Sequence, residues 1–180
     1  MLSWRRHVPN VITAARGLAG FGVAWLLLAK GWHLAAFFLY IFAILTDLVD
    51  GWLAKRWEVV SETGAWLDPL SDKFLAGATW IALWSYGWTP TWLAASILGR
   101  DLVVVIGWLI ARGFGIRFQP NLAGRLMVSY EGVALPLFLL HIEWLWVDWA
   151  SAGVLVGAIS LGFGVFSALD YAMQPWRQRP

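Results

Sequence analysis

Asp47, Asp50, Asp68 and Asp72 crowd into the stretch DLVDGWLAKRWEVVSETGAWLDPLSDK, which lies between two long apolar runs. A carboxylate at bilayer depth is costly and usually marks a functional site. Residues three, four and seven apart share a helix face. Asp47, Asp50, Gly51 and Ala54 have that spacing, and so do Gly64, Asp68 and Asp72 on the next helix. Two helices joined by a short loop bring these faces together, so four carboxylates meet in one partly dry site. Like charges at short range drive one another toward neutrality. Two divalent ions balance four negative charges, and an all-oxygen set without Cys or His suits Mg²⁺ or Mn²⁺. Magnesium is typically held by a few carboxylates together with substrate phosphates, so the pattern points to a metal–diphosphate site. Gly51, Ala54 and Gly64 leave room for a bulky ligand against the backbone, and Lys55 and Arg56 follow where they can meet phosphate or a nucleotide. Each residue alone also has a plainer use. An aspartate can pair with Lys73, Arg100 or Arg16, and Gly51 and Gly64 can serve close helix packing. Four aspartates in register with small residues favour the site.

The elements that must hold these residues are membrane helices. Of 180 residues, 60% are hydrophobic and only 13% charged, about half the charged share of a soluble domain. The mean hydropathy of +0.66 and the 15 tryptophans agree. A net charge of +2 gives no reason to expect nucleic acid, and the lack of cysteine excludes disulfides and thiolate metal sites. Spanning helices of about 20 apolar residues are predicted over Val11–Ala29, His33–Arg56, Ala65–Tyr86, Pro90–Arg112, Leu122–His141 and Trp149–Met173, with Gly31, the 86–90 turn, Gly113 and Gly115 between them. The expectation is an all-α integral membrane protein. It has six transmembrane helices, a short N-terminal interfacial helix over Met1–Pro9, and one domain over residues 1–180. Arg5, Arg6, Lys55, Arg56, Arg112, Arg117, Arg177 and Arg179 fall on one side. The other side carries Lys30, the uncharged 87–89 turn, Glu143 and Asp148. The positive-inside rule puts both termini and the acidic site on the cytoplasmic face.

The acidic stretch resembles the signature of the CDP-alcohol phosphotransferase family, D-x-x-D-G-x-x-A-R, a spacer, then G-x-x-x-D-x-x-x-D. Asp47, Asp50, Gly51, Ala54, Gly64, Asp68 and Asp72 match it position by position, and Lys55 stands where the family has Arg. Lysine keeps the charge and loses the planar fork, and Arg56 follows directly. The resemblance implies transfer of a phosphatidyl-type group from a CDP-linked lipid to an alcohol, with release of CMP. It implies Asp47, Asp50 and Asp68 as metal ligands, and Asp72 as general base and further ligand. It also implies Mg²⁺ or Mn²⁺ as a pair of ions, and a homodimer.

Pro9-Asn10-Val11-Ile12-Thr13-Ala14-Ala15-Arg16 resembles the opening common in the phosphatidylglycerophosphate synthases of that family and their cardiolipin-synthase relatives. Asn10, Thr13 and Arg16 are then expected at the CDP-donor end. The plainer reading makes Asn10 a helix cap and has Arg16 reach the interface. Arg100 and Arg125 are the candidates for a phosphate-bearing acceptor, either glycerol 3-phosphate or phosphatidylglycerol. Arg100 has an internal pair with Asp101 as its plainer use, and Met127 departs from the basic pattern of such synthases near Arg125. Glu131 is a possible partner for either arginine. His7, His33 and His141 are dispersed and read as interfacial. The competing class is an ion-coupled transporter, whose intramembrane acids would serve protons or cations. The inverted repeats common in such folds are not evident in the sequence.

Overall fold

In the computed structural model, the backbone is described for residues 3–30, 32–57, 64–113, 121–140, 143–144 and 147–177. Side chains are described for 11–29, 32–47, 70–110, 121–140 and 148–174. The elements are α1 (Ser3–Lys30), α2 (His33–Trp57), α3 (Gly64–Ser85), α4 (Thr91–Gly113), α5 (Leu122–Leu140), β1 (Glu143–Trp144), β2 (Val147–Asp148) and α6 (Trp149–Arg177). Four helical segments among the described residues are long and apolar enough to cross a membrane: Val11–Ala29, Thr91–Ile110, Leu122–Leu140 and Trp149–Gln174. The described apolar part of α2, His33–Asp47, is shorter. Bulky apolar residues such as Leu18, Phe21, Trp25, Phe38, Phe42, Leu102, Val103, Leu109 and Phe166 stand exposed on these helices. Contiguous apolar surface on this scale marks faces solvated by lipid.

The separate helix expected over Met1–Pro9 is absent from the described backbone, where α1 runs unbroken from Ser3. Pro9 is the seventh residue of α1, where it removes the N–H that would bond the Arg5 carbonyl, yet the backbone stays helical on both sides of it. Pro9 therefore does not divide α1. Asn10 lies inside the same helix, so it is not a cap.

The chain forms two compact units. The first is built from α1, α2 and α3, with α1 packed against both partners. Thr13, Arg16, Gly20, Val23 and Leu27 make its buried stripe, alternating three and four residues apart as one helix face requires. On α2, Ala36, Tyr40 and Ala43 are buried, and Asp47 continues the same spacing. Gly20 sets the approach of α1 to α3. A Cβ there would stand 2.9 Å from both the Leu75 Cα and the Phe74 carbonyl oxygen, and at Gly17 one would stand 3.3 Å from Ser71 Oγ. Small residues let membrane helices come this close.

The second unit holds α4, most of α5, the hairpin and α6. The hairpin was not foreseen; it pairs Glu143 with Asp148 and Trp144 with Val147. Asp148 caps α6, accepting from the backbone N–H groups of Ala150 and Ser151 at 3.0 and 3.3 Å and from Ser151 Oγ at 2.6 Å. Asn121 caps α5 through Oδ1, which accepts from Gly124 N at 2.8 Å and Ser167 Oγ at 2.9 Å. Its amide donates to Asp170 Oδ2 at 2.9 Å. One cap thereby satisfies an orphan N–H and ties α5 to α6. Pro136 lies inside α5, a position tolerated in membrane helices where neighbouring groups re-satisfy the freed carbonyl. Gly87, at φ 76°, makes the turn after α3, a conformation that favours glycine.

Candidate active site

The first unit gathers three of the predicted residues. Arg16 projects from α1, and its side chain is only 1% exposed. Its Nη1 donates to Asp47 Oδ1 on α2, and its Nε stands 3.0 Å from Asp72 Oδ1 on α3. Asp47 and Asp72 remain 45% and 42% exposed. Residues 31 and 56 positions apart in the chain are thus drawn to one point.

The local sequence explains the convergence. Arg16 lies on the buried stripe of α1, one turn before Gly20, where α1 and α3 approach most closely. Ser71, beside Asp72, is buried against Gly17. Asp47 stands one turn beyond buried Ala43, on the face α2 turns inward. The preceding turn is fixed by Thr46, whose hydroxyl donates to the Ala43 carbonyl at 2.7 Å. A buried guanidinium needs anionic partners, because an isolated ion in a dry interior costs several kcal/mol. Two neighbouring carboxylates in turn need a cation between them.

Arg16 therefore does not reach the interface, as the plainer reading had it; it is enclosed. Thr13, one turn earlier, is buried on the same face. The backbones of Asn10, Asp50, Gly51, Ala54, Lys55 and Arg56 are helical in α1 and α2, and those of Gly64 and Asp68 in α3. Their side chains lie outside the described residues. Among the described residues, no group of three or more His, Cys, Asp or Glu is placed to hold a metal. Asp47 and Asp72, however, already close on one cation from two helices with oxygen donors, which is the chemistry a hard divalent ion requires. The described pair fits such an ion.

The second unit treats its arginines differently. Arg100 pairs with its neighbour Asp101 at 2.9 Å, the plainer of its two expected uses, and its Nε donates to the Gly164 carbonyl of α6 at 3.2 Å. Their side chains are 10% and 13% exposed. A Cβ at Gly164 would stand 3.4 Å from Arg100 Nε and 3.0 Å from Met127 Sδ, so the missing side chain makes room for the arginine. Arg125 is exposed in the first turn of α5, and Glu131 is buried one turn beyond Met127.

An apolar helical protein with acidic residues converging from neighbouring helices is an integral membrane protein with a polar site. The comparisons assign its family. The sequence model of the CDP-alcohol phosphatidyltransferase family matches residues 6–166, and the chain belongs to that family. The CDP-diacylglycerol--glycerol-3-phosphate 3-phosphatidyltransferase of Bacillus subtilis (strain 168) is 31% identical over 145 residues, covering 80% of this chain and 75% of that protein. The Escherichia coli (strain K12) protein of the same name is 28% identical over 171 residues, 92% of each chain. A probable cardiolipin synthase (CMP-forming) of Drosophila melanogaster is 33% identical over 112 residues, 62% of this chain and 33% of that protein.

Proposed function

We propose that this protein transfers the phosphatidyl group of CDP-diacylglycerol to the hydroxyl of a phosphate-bearing alcohol, glycerol 3-phosphate, and releases CMP. The observation that carries the reading is the convergence of Asp47 and Asp72, from α2 and α3, on one buried cation. Family membership and the names of the bacterial relatives supply the donor and acceptor classes.

Asp47, Asp50, Asp68 and Asp72 hold a pair of divalent ions, Mg²⁺ or Mn²⁺. When bound, such ions neutralise the diphosphate and stabilise the charge that develops on departing CMP. Asp72 accepts the proton of the acceptor hydroxyl. The hydroxyl oxygen forms a bond to the β-phosphorus, the bond from that phosphorus to the bridging oxygen breaks, and CMP leaves with the electron pair. Asn10, Thr13, Arg16, Gly51, Ala54, Lys55, Arg56 and Gly64 line the donor end. Positioning and electrostatics dominate phosphoryl transfer, and these residues serve both. Arg125, exposed at the start of α5, is the better acceptor candidate. Arg100 has its charge met by Asp101 and a carbonyl, so its effect on the acceptor is indirect.

The lipid donor accounts for the membrane setting: its acyl chains stay in the bilayer while its headgroup reaches the polar site. In this reading α2 and α3 complete six spans over a single domain, and the start of α1 rests in the interface. Both termini and the site face the cytoplasm, and two copies associate. The match to the Drosophila protein favours one alternative acceptor, phosphatidylglycerol. Purified protein supplied with radiolabelled CDP-diacylglycerol, Mn²⁺ and separate acceptors decides between them. CMP release with glycerol 3-phosphate is expected, and release with phosphatidylglycerol alone would move the assignment to the alternative. No release with any acceptor would remove the function.

A further inference from the structure

We propose that Arg16 is a placeholder for the divalent ions: its guanidinium holds Asp47 and Asp72 together before metal is loaded and releases them as metal binds. The inference rests on the metal–diphosphate reading above and deepens it, giving a residue of α1 a role toward the ion itself.

The geometry sets two electrostatic problems that solve each other. Arg16 is enclosed, with 1% of its side chain exposed, and an enclosed guanidinium without anions is strongly disfavoured. Asp47 and Asp72 approach the same point from different helices, and two carboxylates so placed repel unless a cation stands between them. In the metal-free protein Arg16 is that cation. The close contacts of Gly17 and Gly20 with α3 fix its helix where the side chain reaches both oxygens.

The same Oδ1 atoms are the donors a hard divalent ion would use. Metal loading therefore meets a like charge at contact distance, and Arg16 must give up its carboxylates. Once released it still requires an anion. A diphosphate at the site is one whose oxygens suit a guanidinium fork. Metal and donor then favour each other: the ion frees the arginine for the diphosphate, and the diphosphate draws the arginine off the carboxylates. Such coupling is reciprocal.

The test is Mn²⁺ binding by the full chain in detergent without donor, followed by electron paramagnetic resonance, with thermal unfolding of the metal-free protein alongside. Arg16→Gln removes the charge. Arg16→Met also removes it while keeping an apolar stem, and so guards against a folding defect peculiar to glutamine. Arg16→Lys keeps the charge. Both neutral variants are expected to bind Mn²⁺ roughly tenfold or more tightly than wild type, because a contact-range like charge is gone. Both should unfold at lower temperature without metal and gain more from Mn²⁺. Arg16→Lys should stay within about threefold of wild-type affinity, since the competing charge remains. Neutral variants that bind Mn²⁺ no better than wild type, or a lysine variant that shifts as far as they do, would overturn the placeholder role alone. Absence of Mn²⁺ binding from wild type and from both neutral variants alike would overturn the metal reading and this inference with it.

Discussion

Arg16 and Arg100 each sit in an apolar helix, nearly enclosed, beside an aspartate, yet they are built for different ends. Arg100 pairs with the next residue in its own chain and donates to a carbonyl of α6, and both members of the pair are largely buried. That arrangement closes on itself and leaves no open carboxylate. Arg16 reaches two aspartates on two other helices, and those aspartates remain nearly half exposed. An ionised carboxylate has about four lone-pair sites, so Asp47 and Asp72 keep oxygens that a ligand can use. A buried ion pair in a membrane protein is thus not by itself a functional signal. The signal is a buried charge whose partners still face outward.

That contrast can be broken or sharpened by substitution. The largest effect is expected at Asp72. Asp72→Asn should lower CMP release by roughly 10²-fold or more, the scale of a lost general base, while the protein stays folded by circular dichroism. Asp47→Ala strands part of the Arg16 charge. It should cost about 2–3 kcal/mol in the unfolding of metal-free protein, short of the full cost of an unpaired buried ion because Asp72 remains. Gly20→Val should cost about 1–3 kcal/mol, since its side chain would press on the α3 backbone. Asp101→Asn should cost about 1–2 kcal/mol, because the amide oxygen still accepts from Arg100, and should leave CMP release within about threefold of wild type. The smallest effect is expected at Gly77, where an added Cβ meets nothing within 4 Å. Gly77→Ala should be neutral or stabilise α3 by about 0.5–1 kcal/mol. Equal losses of turnover at Asp72 and Asp101 would erase the distinction between the two regions.

What could be read from the sequence follows the range of the interactions. The helices themselves were legible because apolar length is a local property: α2 to α5 fall within a residue of the expected bounds, whereas α1 starts eight residues earlier and α6 ends four later than expected. The helical backbone at the four aspartates was legible because the signature puts them at helical spacing. The joint capture of Asp47 and Asp72 by Arg16 was not, because it depends on how closely α1 meets α3. Gly17 and Gly20 set that distance, and neither carries a charge that would draw notice. Pro9 suggested a break, but α1 runs through it. The hairpin between α5 and α6 has strands of two residues, too short to show alternation. Asn121 did carry a local signal, a capping residue immediately before an apolar helix. Its further ties to Ser167 and Asp170 required the fold.

The most direct test is a structure of the protein with Mn²⁺ and CDP-diacylglycerol, with manganese located by its anomalous scattering. Manganese is expected bound by Asp47 and Asp72 and the diphosphate against it, with Arg16 moved off both carboxylates. Manganese bound elsewhere, with Arg16 still between the two aspartates and the donor in place, would contradict this expectation.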